Sequence, residues 1–366
     1  MNINKAVIRD LEVINLAKED ITIPRKYFAA ANGYGGFRSY FGEIFRSEDY
    51  ERIYVLKGGP GTGKSSMMRR LSEDLSSLGG SIEEIYCSSD PHSLDGVICK
   101  VGEKKIAMLD GTAPHERDAV IPGAIDCIIN LGEGWDEKWL SAKRDKILAL
   151  NLQKKKAYKT AYSYLSLCGA SAKLESQVKY KEKIKELAIT SIKSLAELDL
   201  KQNNGKIETR LISSFGRYGR YTLTTLSEIS DKIYSPNLNE YFNQAFMNEL
   251  YAYLCYNNAD FIHFPDPLDQ YSTEAIHLPN SRITFALRGG EPTGESIADS
   301  KDAVESEREK VAKACYDRSL EEAERWFSIA SDNHFLLEEI YKEAMDFDKN
   351  DRIYKEKYQE IINVLS

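Results

Sequence analysis

At 366 residues the chain is longer than one hydrophobic core comfortably fills, so two or more domains are expected. Hydrophobic residues make up 42% and charged residues 29%, and no run approaches the ~18–20 apolar residues of a membrane span. The start, Met1-Asn2-Ile3-Asn4-Lys5, carries no signal-peptide core, and six scattered cysteines show neither CxxC nor Cys/His ligand spacing. A cytoplasmic chain with reduced thiols, no membrane partner and no zinc site is expected. The net charge of −8 is unevenly spread.

Taken in chain order, the first distinctive segment is Asn32-Gly33-Tyr34-Gly35-Gly36-Phe37. No strand is apparent before it, so a dinucleotide fingerprint is not expected. It reads as a tight packing turn, or as a flap with Tyr34 or Phe37 on a base. Ile53-Tyr54-Val55-Leu56 is then an apolar run suited to a buried strand over 53–57. It enters Gly58-Gly59-Pro60-Gly61-Thr62-Gly63-Lys64-Ser65, which satisfies the Walker A pattern of a glycine, any four residues, then Gly-Lys-Ser. Such a loop turns successive backbone N–H groups inward around phosphate oxygens, which side chains on Cβ would obstruct. Lys64 would place its ammonium on the β- and γ-phosphates, and Ser65 would give its hydroxyl to Mg²⁺. Gly58 to Ser66 are therefore the expected nucleotide-binding residues. Beyond Ser65, the apolar positions Met67, Met68, Leu71, Leu75 and Leu78 share one helical face, and Gly79-Gly80 stops the helix. The positive end of that helix points at the same anion.

Strands are next expected over 82–87, 105–110 and 125–130. The first ends near Asp90, which reads as an Asp-Pro turn or as a residue meeting a phosphoryl acceptor. The second, Lys105-Ile106-Ala107-Met108-Leu109-Asp110, is four apolar residues followed by an aspartate. That is the Walker B form, and Asp110 is the expected partner of Ser65 in supporting Mg²⁺. No glutamate follows directly to orient water. His115 or Glu116 is the candidate general base, and Arg117 a candidate stabiliser of phosphoryl charge. ATP is expected rather than GTP because Ala142-Lys143-Arg144-Asp145 lacks the asparagine of a guanine-reading motif.

From Glu137 to about Leu200 helical periodicity dominates. Between Lys138 and Lys206 there are roughly sixteen Lys/Arg against six Asp/Glu, while 295–366 reverses the balance, roughly eleven against nineteen. The basic stretch would bind nucleic acid, or it faces solvent or the acidic C-terminal region; the latter pair is favoured because no aromatic and glycine pattern marks a nucleic-acid module.

The chain also reads as written twice. Phe28-Ala29-Ala30-Ala31-Asn32-Gly33-Tyr34-Gly35-Gly36-Phe37 is echoed by Ile212-Ser213-Ser214-Phe215-Gly216-Arg217-Tyr218-Gly219-Arg220-Tyr221. Ile85 to Pro91 is echoed by Phe261 to Pro267, and Ile106 to Leu109 by Ile283 to Ala286. Even Tyr164-Leu165-Ser166-Leu167 answers Trp326-Phe327-Ser328-Ile329. Where the first copy has its glycine loop, the second has Ser235-Pro236-Asn237-Leu238, followed by an expected helix over about Asn239 to Leu254. No acidic residue matches Asp110 after Ala286. The second half is therefore expected to be a degenerate copy, leaving one active nucleotide site per chain.

Lys57 to Ser66 looks like the loops of AAA+ and RecA/KaiC-type ATPases. Ile53 to Ser65, with Cys87 to Gly96 and Leu109 to His115, resembles an uncharacterised family of bacterial P-loop ATPases built from two tandem P-loop halves. The resemblance implies the fold and ATP binding. The expected fold is α/β, a P-loop NTPase parallel sheet with helices, duplicated as a degenerate second half, plus helical segments. The expected division is 1–136 nucleotide-binding half, 137–203 helical, 204–298 degenerate half and 299–366 helical to the end. The expected function is Mg²⁺-dependent ATP hydrolysis coupled to conformational change. A small-molecule kinase or an ATP-sensing scaffold are the alternatives, with the protein partner or small-molecule acceptor unspecified.

Overall fold

A computed structural model describes residues 23–175, 204–235, 240–287, 291–292 and 307–366. The expected helical continuation over 176–200, the segment Pro236-Asn237-Leu238 and the start of the last helical region at 300–306 lie outside these residues.

The first sheet begins with β1 (Arg25–Phe28), followed by a hairpin of β2 (Ala30–Gly33) and β3 (Gly36–Ser39) and a short helix α1 (Phe41–Ile44). Then come β4 (Arg52–Lys57), α2 (Lys64–Ser76), β5 (Ser81–Tyr86), β6 (Leu94–Val101), β7 (Lys104–Asp110) and β8 (Asp126–Asn130). The strand order is β1-β5-β6-β7-β4-β8. Ile53 to Leu56 of β4 and Ile106 to Leu109 of β7 are all fully buried, the continuous apolar run of a strand covered on both faces. The apolar stripe of α2 (Met67, Met68, Leu71, Leu75) joins the same core. Each such side chain contributes about 1.5–3 kcal/mol on burial. The helix stops where foreseen: Gly79 has φ +80°, and the Gly80 N–H returns to the Leu75 carbonyl.

Two expectations need correction. The sheet is mixed, because β6 runs antiparallel to both β5 and β7. Leu94-Asp95-Gly96-Val97 carries an Asp-Gly pair that reads as a turn, yet it lies inside the strand, and the turn to β7 comes at Gly102, φ +58°. The Asn32 to Phe37 segment is the turn of a true hairpin, so a strand does precede its glycines.

The helices α3 (Glu137–Ala142) and α4 (Arg144–Glu175) follow. The second sheet region opens with β9 (Ile207–Thr209), a separate hairpin of β10 (Ser213–Gly216) and β11 (Gly219–Thr222), and α5 (Thr225–Ile229). It continues with β12 (Lys232–Ser235), α6 (Glu240–Tyr256), β13 (Phe261–Pro265), β14 (Thr273–Leu278), β15 (Ile283–Ala286) and β16 (Glu291–Pro292). Its order, β9-β13-β14-β15-β12-β16, repeats that of the first sheet strand for strand, with the same pattern of parallel and antiparallel pairs. The two sheet regions share one core: Leu211, Ile212, Phe264 and Ala275 cluster with Tyr27, Phe28 and Ile85.

Two last helices complete the described chain, α7 (Glu307–Glu343) and α8 (Phe347–Leu365). The expected helical C-terminal region is therefore broken once, where Asp346 caps α8 by accepting the Lys349 N–H. The basic α4 packs along α7 of the acidic region through an apolar seam: Leu150 meets Leu337 and Ile340, and Ala161 and Leu165 meet Ala323 and Phe327. Tyr354, Ile361, Ile362 and Leu365 of α8 complete the core under the first sheet. Among the described residues no helix is long and apolar enough to cross a membrane.

Candidate functional site

The glycine loop leaves the carboxyl end of β4 and runs into α2. Gly61 and Gly63 have φ +71° and +84°, values that favour glycine. Gly63 caps α2 without a side-chain hydrogen bond, so the first amides of that helix are left facing the loop. Thr62 is buried and its hydroxyl donates to the Gly59 carbonyl at 2.9 Å. The Lys64 ammonium folds back over the loop, donating to the Gly58 and Gly59 carbonyls at 2.8 Å each.

The parallel pairing of β4 and β7 sets Leu56 beside Asp110. This register carries the Asp110 carboxylate to the same sheet edge, where Oδ2 lies 3.5 Å from Lys64 Nζ. The other oxygen, Oδ1, accepts the Thr112 N–H at 2.8 Å and its hydroxyl at 2.6 Å. The Ser65 hydroxyl oxygen accepts the Leu94 N–H at 2.9 Å, tying the first turn of α2 to the start of β6. Lys64, Ser65 and Asp110 thus occupy one strand edge, from residues 46 positions apart in the chain at the widest. Ser66 is exposed on α2.

The candidates after Asp110 separate. His115 is buried, its ring stacked on Phe41 at 4.5 Å between centroids, and Nε2 lies 3.0 Å from Asp95 Oδ2. Burial pulls the His115 pKa down, but the Asp95 carboxylate more than offsets this and the net shift is upward from 6.5; Asp110 adds to the rise and Lys64 opposes it. Glu116 is exposed. Arg117 turns away, pairing with Asp126 at 3.1 Å and donating to Ser47 Oγ at 3.0 Å. Asp90 accepts the His92 N–H at 3.1 Å, an Asx turn, and Asp266 makes the matching turn after β13. Tyr34 is bonded to Tyr316 at 3.0 Å and Phe37 packs near His115, so this hairpin is held by packing.

The outer side of the loop is walled by the junction of α7 and α8. A methyl group at Gly61 would lie 2.5 Å from the Glu338 carbonyl oxygen. One at Gly59 would meet Trp135 and Tyr341, and one at Gly63 would meet Asn350 and Phe347. Asn350 Nδ2 donates to the Thr62 carbonyl at 2.7 Å. The wall residues carry no motif, and Asp95, though inside the Cys87 to Gly96 segment, has no role assigned by it, so the sequence does not mark them. The one available signal for Asp95 was strand β6 itself.

Buried polar atoms normally find partners. Here Ser88 Oγ, His115 Nδ1, Trp135 Nε1 and Asn350 Oδ1 are buried without one. All belong to residues at the loop or at the strand ends beside it. Amide donors with a positive helix end, an ammonium, a hydroxyl and a carboxylate are a donor set that fits a polyphosphate with its divalent ion. Comparison with protein-family models, curated proteins and solved structures found no match.

Proposed function

We propose that the chain is a Mg²⁺-dependent ATP-binding P-loop NTPase, with one active site in its first half and hydrolysis coupled to movement between its parts. The observation that carries this reading is the convergence of Lys64 and Asp110, 3.5 Å apart, at the glycine loop that opens α2. In this reading the amides from Gly59 to Gly63 take phosphate oxygens, and Lys64 exchanges its two loop carbonyls for the β- and γ-phosphates. Ser65 and Asp110 are the residues that would hold Mg²⁺, which when bound neutralises charge on the phosphates. The wall supports the coupling: Gly61 lies close against the Glu338 carbonyl and Thr62 is hydrogen-bonded to Asn350, so a shift of the loop on phosphate binding would press on α7 and α8. The matching strand orders support reading the second sheet as a degenerate copy, as in the tandem P-loop family the motifs resemble. A cytoplasmic location belongs to the same proposal.

One observation favours a second reading, ATP sensing with little turnover. His115 is buried with Nε2 engaged by Asp95 at 3.0 Å and Nδ1 shut away from solvent, so it is poorly placed to take a proton from an attacking water. The deciding experiment incubates the protein with Mg²⁺ and γ-labelled ATP, with and without metabolite extract, beside Lys64→Ala. Free labelled phosphate that falls on the order of 100-fold or more in the variant is the expected result. Label on a metabolite would make the protein a kinase. Bound ATP with no label released would make it a sensor.

A further inference from the structure

The turn of the β10–β11 hairpin carries Arg217 out of the second sheet region and onto the first. Its backbone approach is close: a methyl group at Gly216 would lie 3.3 Å from the Ser88 carbonyl oxygen. Tyr218 sets its ring edge-on to His92, 6.0 Å between centroids. On the other side, Ser328 of α7 donates to the Arg217 carbonyl at 3.2 Å. The hairpin tip is thus wedged between α7 and the loop that follows β5.

The guanidinium itself is poorly satisfied. It lies over the Phe335 ring at 5.0 Å and the Tyr218 ring at 5.1 Å, and Nη2 reaches Asp332 at 3.4 Å. Nε and Nη1 are buried and have no partner. A cation sandwiched between rings is held in place, yet two of its nitrogens face nothing that accepts a hydrogen bond.

Its position along α7 points to the glycine loop. Six residues beyond Asp332, about 9 Å of helix, the Glu338 carbonyl is the group that meets Gly61. Arg69 of α2 donates to the His92 carbonyl at 2.9 Å, so the loop under the hairpin also lies along the phosphate-facing helix.

We propose that Arg217 is a catalytic residue contributed by the second half, its free N–H groups meeting oxygens of the transferring γ-phosphoryl group. This rests on the ATP reading above. In hydrolysis the bond from Pγ to the β,γ-bridging oxygen breaks and leaves its electron pair on ADP. The water oxygen bonds to phosphorus, keeps one proton and passes the other to a phosphate oxygen. Charge spreads over the γ-oxygens as this happens, and a guanidinium already held in place stabilises it through its charge and its free N–H donors. The role also gives the second half, without a glycine loop of its own, a function at the first half's site.

The test measures ATP binding and single-turnover hydrolysis for the full chain, Lys64→Ala, Arg217→Ala and Arg217→Lys. Expected for R217A is binding within about threefold of the parent and hydrolysis slowed about 100- to 1,000-fold. R217K should recover part of the rate, since an ammonium keeps the charge and loses the fixed planar donors; should R217A not fold, the R217K rate alone decides. The parent should also trap ADP with aluminium fluoride, and R217K should do so weakly. Turnover within threefold of the parent in both Arg217 variants, with K64A inactive, would overturn the Arg217 assignment alone. Unchanged ATP binding and hydrolysis in K64A would overturn the site reading beneath it. A parent chain that binds ATP and never releases phosphate would overturn Arg217's role outright.

Discussion

His115 shows how one contact decides the character of a side chain. Its ring is enclosed by Phe41 and Phe37, which alone would keep it neutral. Asp95, itself buried, reverses that preference. A group whose folded pKa is raised contributes stability that is fully present below its unfolded value, here 6.5, and is lost as pH rises through the folded value. The stability advantage of the parent over Asp95→Asn should therefore be fully present below 6.5 and shrink as pH rises above it. Denaturant melts across that range check it, and an advantage independent of pH would mean that the ring does not titrate as argued. The sequence places His115 in a run after a Walker B strand and so marks it for chemistry. It does not reveal Asp95, because the strand that carries it is disguised by the Asp95-Gly96 pair.

At the scale of elements, the C-terminal hairpin of α7 and α8 acts as a wall for the glycine loop. Several contacts hold α8 there. Arg70 of α2 stacks on Tyr354 at 4.1 Å and pairs with Asp351 at 3.1 Å, while Glu360 accepts from Arg52 and Tyr54 of β4 at 3.1 and 3.2 Å. The buried amide of Asn350 hydrogen-bonds the glycine loop itself, at Thr62. Asn350→Ala removes the donor to the Thr62 carbonyl and leaves that oxygen buried, at a cost of about 1–3 kcal/mol. The same variant is expected to change ATP affinity, because Thr62 belongs to the loop. Thermal melts with and without ATP check both effects, and a variant with unchanged stability and affinity would show that the wall is passive. Apolar periodicity made α2, the α7 seam and the C-terminal helices legible in advance. The break at Asp346 was not, since a single capping aspartate in a charged, helix-favouring stretch gives little local signal.

For the molecule as a whole, the two sheets are joined by reciprocal contacts. The first hairpin reaches the second half, where the Tyr34 N–H donates to the Leu268 carbonyl at 2.8 Å. The second hairpin reaches the loop after β5, as described for Gly216. Between them Phe28 and Leu211 exchange two backbone hydrogen bonds at 2.8 and 3.1 Å, and Arg210 reaches Glu83 with Nε at 3.1 Å and Nη2 at 3.0 Å. Burial works against the Glu83 carboxylate, but Arg210 and then Arg25 outweigh it and hold its pKa below the usual range. Arg210→Ala leaves Glu83 to Arg25 alone, 3.3 Å away, and is expected to cost about 1–3 kcal/mol. Calorimetry would register it as a lower and, if the halves uncouple, a split transition. A single unshifted transition would mean that Arg210 does not join the halves.

The sequence by itself determined the glycine loop, its strand and helix, Asp110 at a strand end and the echo between the two halves. These are local patterns, set by residue type over a few positions, and local sterics and periodicity suffice to read them. Tertiary structure alone decided that β6 runs antiparallel, that Asp95 meets His115, that the α7–α8 junction walls the loop, and that Arg217 of one half stands beside the other. Such pairings join residues distant in the chain, and the free energy that selects them comes from burying shared surface, which no local pattern records.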